Sequence, residues 1–341
     1  MTRLRRADCA QPGFARRRHG RGFVYLDEHG HVVRDADVLD RVRRLAIPPA
    51  WQDVWICPHP NGHLQAVGTD AAGRRQYLYH PDWSIRRAQE KFDRMLGFAR
   101  SLPELRAAVA ERLGDPALGR TRVLACAVRL LDLGFFRVGG EEYADGNGTY
   151  GLATLEKRHV RLLGDDRLVF DYVAKSGKRR LQGLVDPLVY ETAAQLKRRR
   201  GGGAAFLAYR NGTWVDVRSV EINDLIKELT GPDYSAKDFR TWHATVLAAV
   251  GLGISTQASS KTARRRAISR AVQEVAGYLG NTPAVCRSSY IDPRVIDRYL
   301  AGQTIARTLE SLQWAAEPDA PATQGPIEDA VLELLDNGKS G

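Results

Sequence analysis

The hydrophobic period of this chain changes near residue 81, and that change constrains the fold more than any other feature. Up to His80 the apolar residues come in short runs rich in β-branched and aromatic side chains: Gly22–Leu26, Asp53–Cys57, His63–Val67 and Arg74–His80. Runs of this length and composition are strands. Turn sequences separate them, at Asp27-Glu28-His29-Gly30, Pro58-His59-Pro60-Asn61-Gly62 and Asp70-Ala71-Ala72-Gly73. One short helix, about Asp35–Leu45, stops before Pro48-Pro49.

After Pro81 the apolar positions recur at helical spacing. Ser84–Leu113 has this pattern, with a break expected at Ser101-Leu102-Pro103. Further helices are expected at Arg122–Leu133, Pro187–Arg200, Val217–Leu229, Arg240–Val250, Lys261–Leu279 and Pro293–Ala301. A β-excursion, Arg161–Lys175, turns at Gly164-Asp165-Asp166. The Pro- and Ala-rich stretch Glu317–Gly325 reads as a linker, followed by an amphipathic stretch, Ile327–Leu335. The fold class is therefore α+β. Residues 1–90 are expected to form a small mostly-β domain and residues 91–341 a larger mostly-α domain with a small β-hairpin sheet, in which flexibility is an expectation for the tail from about 317. Two lobes on a basic chain suit a clamp around duplex DNA.

The formal net charge is +11 over 341 residues, and arginine far outnumbers lysine. Guanidinium forks bind phosphates bidentately, so the partner expected first is a nucleic acid. Four cysteines without a CxxC pair argue against a disulfide framework and a thiolate zinc site, and point to a reducing cytoplasm. No apolar run approaches a membrane span. The Arg-rich start, including Arg16–Arg18, is expected to be a mobile basic arm that docks on DNA, although it could mimic a transit peptide.

Several chemistries lack their residues. There is no GxxxxGK[ST] loop to hold ATP, and Gly201-Gly202-Gly203 reads as a flexible turn. The histidines lack ligand spacing, and Glu141, Glu142 and Asp145 read as solvated carboxylates. No metal and no cofactor are expected.

The second domain does hold the parts for metal-free phosphoryl transfer. Such chemistry needs cations on the non-bridging oxygens, a proton donor for the departing oxygen and a nucleophile in line. Arginine suits the first role, lysine near other cations the second, and tyrosine the third. A phenolate is a good leaving group, so a phosphotyrosine bond conserves the energy of the broken one and resealing needs no nucleotide.

The residues that carry a family resemblance are these. Phe135–Tyr143 (FFRVGGEEY), followed by Thr149–Leu155 (TYGLATL), resembles the first-arginine motif of poxvirus and bacterial type IB topoisomerases. Phe170–Gly177 (FDYVAKSG) is similar to their lysine hairpin, and Lys237–Thr241 (KDFRT) to the second-arginine motif. Leu279–Pro283 (LGNTP) and Ser288–Ile291 (SSYI) resemble the stretch that ends in the nucleophile. In the first domain Pro48–Trp55 and Gly73–His80 resemble DNA-reading strands.

The resemblance implies that Arg137 and Arg240 bind the scissile phosphate, that Lys175 protonates the leaving 5′ oxygen with help from Arg137, and that Tyr290 attacks and holds the 3′ phosphate. Lys237 would touch the backbone nearby and Tyr143 the cleavage-site strand. Gln76, Tyr77 and Tyr79 would face the major groove or phosphates. Where the family usually has histidine, this chain has Asn281, an amide that can donate a neutral hydrogen bond but carries neither proton nor charge. The implied protein is a monomer acting on double-stranded DNA in the bacterial nucleoid, with no small-molecule substrate.

Each residue has a plainer reading. Lys175 could be a hairpin tip, Tyr77 and Tyr79 cross-strand packing, His243 a packed helix residue, and Arg264–Arg266 either a solvated face or, on a chain this basic, a phosphate-binding one. The rival functions are a tyrosine recombinase or integrase and a non-catalytic DNA-binding module. In the recombinases a histidine normally precedes the second arginine by three residues; Lys237 holds that place here.

Overall fold

The computed structural model describes residues 3–140, 148–255, 260–312 and 324–336. The chain divides into two compact units, Met1–Asp93 and Arg94–Gly341.

The first unit is built on a five-stranded antiparallel sheet in the order β2-β1-β3-β4-β5. The strands are β1 (Phe14–His19), β2 (Gly22–Leu26), β3 (Gln52–Ile56), β4 (Leu64–Thr69) and β5 (Arg75–Tyr79). Helix α1 (Ala36–Arg44) starts at Asp35, whose carboxylate accepts from the amides of Asp37 and Val38. Val42 of this helix packs with Ile47, Val54, Ile56 and Ala66 in a small core, closed by Phe14, Trp51 and Leu78.

Strand β1 corrects the expectation of a mobile basic arm, because Arg16–Arg18 lie in the sheet and pair with Phe23–Tyr25. Arg16 donates to the carbonyls of Ile47, Pro48 and Trp51. Its guanidinium also lies 4.2 Å from the centre of the Phe23 ring. A cation so occupied stabilises the sheet.

Helix α2 (Pro81–Leu113) continues through Pro103, which lies in the second unit. The break expected at Ser101-Leu102-Pro103 does not occur. Phe98, Leu102, Leu105 and Val109 are all buried, so the apolar stripe continues across the proline. That burial offsets a cost of roughly 3 kcal/mol for the lost hydrogen bond and ring clash.

Helix α3 (Arg120–Gly134) is buried almost all round and lies at the centre of the unit. A three-stranded antiparallel sheet follows, β6 (Val160–Leu162), β7 (Arg167–Ala174) and β8 (Lys178–Val185). Its first turn uses Asp165 and Asp166, both left-handed, as a tight hairpin requires. Helix α4 (Pro187–Arg198) leads to a hairpin not read in the sequence, β9 (Ala208–Asn211) and β10 (Thr213–Asp216). The glycine turn before it is pinned: Arg199 donates to the carbonyls of Gly202 and Ala205, and Trp214 donates to that of Arg200.

The remaining helices are α5 (Ser219–Thr230), α6 (Ala236–Ile254), α7 (Lys261–Leu279), α8 (Pro283–Ser289), α9 (Pro293–Leu300), α10 (Ala306–Leu312) and α11 (Pro326–Asp336). Helix α11 is tied in by a buried ionic network. Arg106 forks onto Asp132 and also donates to Glu328, which accepts from the Trp242 indole as well. Among helices near the site, α6 and α7 pack against each other and α8 packs on α7.

Candidate active site

The end of α3 sets the geometry. Phe135 follows Gly134 in a left-handed conformation (φ 52°) that costs energy in a residue with a bulky side chain. This turn brings the Phe135 carbonyl to the Arg240 guanidinium, which donates to it, and lets Arg137 emerge two residues later. The next ring, Phe136, anchors the turn by packing edge-on to Phe170 and in a stack with Tyr172 of β7.

Arg240 lies in the second turn of α6. That helix begins at Ser235 with a capping box in which the Asp238 carboxylate accepts from the Ser235 amide and hydroxyl. The Arg240 side chain is only 4% exposed. It donates to the Leu279 carbonyl at 2.9 Å as well as to Phe135, while its Nε has no protein partner. Burial, reinforced by the charge of Arg137, pushes this guanidinium down to about 10. It still carries its charge at neutral pH.

Arg137 donates to the side-chain oxygen of Asn281. A guanidinium can only donate, so the contact identifies Oδ1 and leaves Nδ2 on the other side of the amide. Nδ2 is buried and has no protein partner. Among the described residues no carboxylate pairs with Arg137 or Arg240. Two cations held together without a carboxylate are set up to receive an anion.

Tyr290 ends helix α8 as its C-cap, with its amide bonded to the Cys286 carbonyl. Thr245 of α6 lies under it: the threonine hydroxyl is 3.3 Å from the Tyr290 carbonyl and accepts from the Asp292 amide at 3.2 Å. The helix that carries Arg240 therefore also holds the backbone of Tyr290. The Arg240 guanidinium carbon stands 5.3 Å from the centre of the Tyr290 ring. Burial alone would push the Tyr290 phenol up, but Arg240 first, then Arg137 and Lys237, outweigh it and bring the phenol below its ordinary value.

Lys175 occupies the tip between β7 and β8, where Ser176 and Gly177 are left-handed. It lines a small cavity together with Arg137, Tyr150, Tyr172 and Arg240. Arg180 of β8 joins the sheet to α7 by donating to the carbonyls of Gly277 and Tyr278. Neither Tyr150 nor Arg180 stood out in the sequence; each becomes visible only when the sheet, α3 and α7 meet.

Of the expected site residues, Arg137, Lys175, Arg240, Asn281 and Tyr290 thus fall in one neighbourhood, and exposed Lys237 lies one turn before Arg240 on α6. Gln76, Tyr77 and Tyr79 lie on β5 of the other unit. Tyr77 and Tyr79 are each 46% exposed and stack at 6.2 Å, whereas the Gln76 amide donates to Asp70. Tyr143, Glu141, Glu142 and Asp145 lie outside the described residues. His243 is buried beside Asp132 (3.6 Å) and edge-on to Phe135, the packed reading rather than that of a solvent-facing base. Among the described residues no three His, Cys, Asp or Glu side chains gather as metal ligands, and no helix is long and apolar enough to cross a membrane.

Residues 81–313 match the family model of the eukaryotic DNA topoisomerase I catalytic core. Residues 22–70 match that of the bacterial DNA topoisomerase IB N-terminal domain. The two units together define a DNA topoisomerase of the first type. The chain is 29% identical over 295 residues to DNA topoisomerase 1B of Acanthamoeba polyphaga mimivirus, covering 84% of this chain and 87% of the viral one. It is 27% identical over 158 residues to DNA topoisomerase 1 alpha of Arabidopsis thaliana, a match that spans 46% of this chain and 16% of the plant protein. The same identity holds over 157 residues of DNA topoisomerase 1 from Candidozyma auris, 20% of that protein. The chain belongs to the type IB DNA topoisomerases.

Proposed function

We propose that this topoisomerase relaxes supercoiled DNA by cutting one strand with Tyr290, letting the cut strand rotate, and resealing it without ATP or metal. The observation that carries the reading is the partially buried Tyr290 phenol beside two guanidinium groups, Arg240 and Arg137, that have no carboxylate partner among the described residues. In the cleavage step the Tyr290 oxygen forms a bond to phosphorus as the bond from phosphorus to the 5′ oxygen breaks. The phenolic proton passes to water, and the Lys175 ammonium gives a proton to the departing 5′ oxygen. Arg137 and Arg240 hold the non-bridging oxygens, and Nδ2 of Asn281 adds a neutral hydrogen bond. Resealing runs the same step backwards, with the 5′ hydroxyl displacing the tyrosine.

Lys237 is assigned to the DNA backbone beside the cut, and Tyr143 to the cleavage-site strand. Tyr77 and Tyr79, exposed on an edge strand, are assigned to the DNA surface, and Gln76 to the adjoining phosphates or groove. Residues 1–90 and 91–341 act as a DNA-binding and a catalytic domain, and the protein works as a monomer on the nucleoid. The test is relaxation of supercoiled plasmid by purified protein in EDTA without nucleotide. Relaxation is expected; strict dependence on Mg²⁺ or ATP contradicts the reading.

A further inference from the structure

A short strap, Tyr150–Ala153, runs between the arginine turn and the lysine hairpin and is bonded to both. The Tyr150 amide donates to the Val173 carbonyl at 2.8 Å, two residues before Lys175. The Leu152 amide donates to the Arg137 carbonyl and that of Ala153 to the Val138 carbonyl, each at 2.8 Å. Where the strap passes the turn, Gly139 and Gly151 meet backbone to backbone. A Cβ on Gly151 would stand 2.4 Å from the Gly139 Cα and 2.9 Å from the Arg137 carbonyl oxygen. Gly151 itself is extended (φ −133°, ψ −179°), a conformation open to any residue. Lack of space, not torsion, requires glycine at 151.

The base of the hairpin has its own anchors. Arg180, paired with Tyr172, donates to the Gly277 and Tyr278 carbonyls. Gln182, paired with Phe170, donates to the Gly134 carbonyl. The Tyr150 bond at Val173 lies nearer the tip than either, two residues before Lys175.

We propose that the strap is a spacer that sets the distance between Arg137 and Lys175, which makes Gly151 a positioning residue for proton delivery to the leaving 5′ oxygen. The inference rests on the reading of Lys175 as the proton donor. A methyl group at 151 meets the backbone of the arginine turn at Gly139 and Arg137, so the strap must move by about 1 Å to reach ordinary contact distance. Through the Tyr150 bond that movement passes to the hairpin tip, and a displacement of this size at a proton donor costs on the order of 10²-fold in rate.

The test compares single-turnover cleavage of two suicide duplexes. One has the ordinary 5′-oxygen leaving group; the other has sulfur at that bridging position, which departs as a thiolate and needs no proton. The ratio of the two rates does not depend on the folded fraction of a preparation. Gly151→Ala is expected to lose on the order of 10²-fold on the oxygen substrate and far less on the sulfur one, so that its ratio rises toward that of Lys175→Ala. Tyr150→Pro, which deletes the amide that holds Val173, is expected to raise the ratio as well. If Lys175→Ala raises the ratio and both strap variants leave it at the wild-type value, the spacer proposal is overturned. If Lys175→Ala leaves the ratio unchanged, the proton-donor reading fails, and the spacer proposal with it.

Discussion

The guanidinium carbon of Arg240 stands 5.3 Å from the centre of the Tyr290 ring, and the Tyr290 phenol sits below its ordinary value of 10.0 despite burial that pushes it up. Phenolate is thus favoured over what burial alone would allow. Under single-turnover conditions the cleavage rate should rise with pH to a midpoint below 10. In Arg240→Gln the largest opposing charge is gone while the burial remains, so the midpoint moves upward. A pH–rate profile of the two proteins checks this, and an unchanged midpoint would contradict the coupling. The rate should also drop on the order of 10²–10³-fold, because a phosphate-binding donor is lost.

Asn281 should act through its amide hydrogen. Oδ1 is occupied by Arg137, and the free face of the side chain is the donor Nδ2. Asn281→Ala is expected to slow cleavage by about 10–10²-fold. Asn281→Asp should be slower than Asn281→Ala, because it sets a negative charge against the phosphate and neutralises Arg137. Single-turnover rates of the three proteins decide it; equal rates for the two variants would remove Asn281 from the site.

The buried network of α11 predicts an acid-sensitive stability. Burial works against ionisation of Asp132, but His243 and Arg106 hold its carboxyl well below the ordinary carboxylate value. A folded-state pKa depressed in this way contributes stability that is full above the unfolded value, about 3.8, and is lost as pH falls below it. Asp132→Asn leaves Arg106 with only Glu328 and should cost about 3–5 kcal/mol at neutral pH, the cost of breaking a buried pair. Urea unfolding at pH 7 and pH 3 measures both effects. The difference between wild type and Asp132→Asn should shrink at pH 3.

Much of this fold was legible in the period of the sequence, because the switch at Pro81 from short β-rich runs to helical spacing separates two kinds of core. What the sequence hid were elements whose stability is tertiary. Strand β1 carries Arg16-Arg17-Arg18 and looks like a solvated arm until the carbonyls of Ile47, Pro48 and Trp51 are found around Arg16. Pro103 looks like a stop until the buried stripe on either side of it is seen. The order of Arg137, Lys175, Arg240, Asn281 and Tyr290 along the chain could be read from motifs. Their relations could not: Arg137 and Asn281 are 144 residues apart, and nothing local announces that the amide is held by that arginine. Tyr150 and Gly151 lay inside a recognised motif without a role until the strap placed them between two others.

Binding should depend steeply on salt. The chain carries a formal net charge of +11, and each phosphate contact releases counterions on binding. The logarithm of the DNA association constant should fall linearly with the logarithm of salt concentration. Removing one backbone cation, as in Lys237→Ala, should reduce the slope by about one unit. An unchanged slope in that variant would take Lys237 off the phosphate backbone.

The central claim is that Tyr290 is the nucleophile. Incubation with a suicide duplex, denaturing electrophoresis and peptide mapping of the adduct test it most directly. The account predicts a DNA-linked peptide containing Tyr290, with the tyrosine bonded to a 3′ phosphate, and no adduct from Tyr290→Phe although that variant still binds the duplex. An adduct on another residue, or one that persists in Tyr290→Phe, would contradict it.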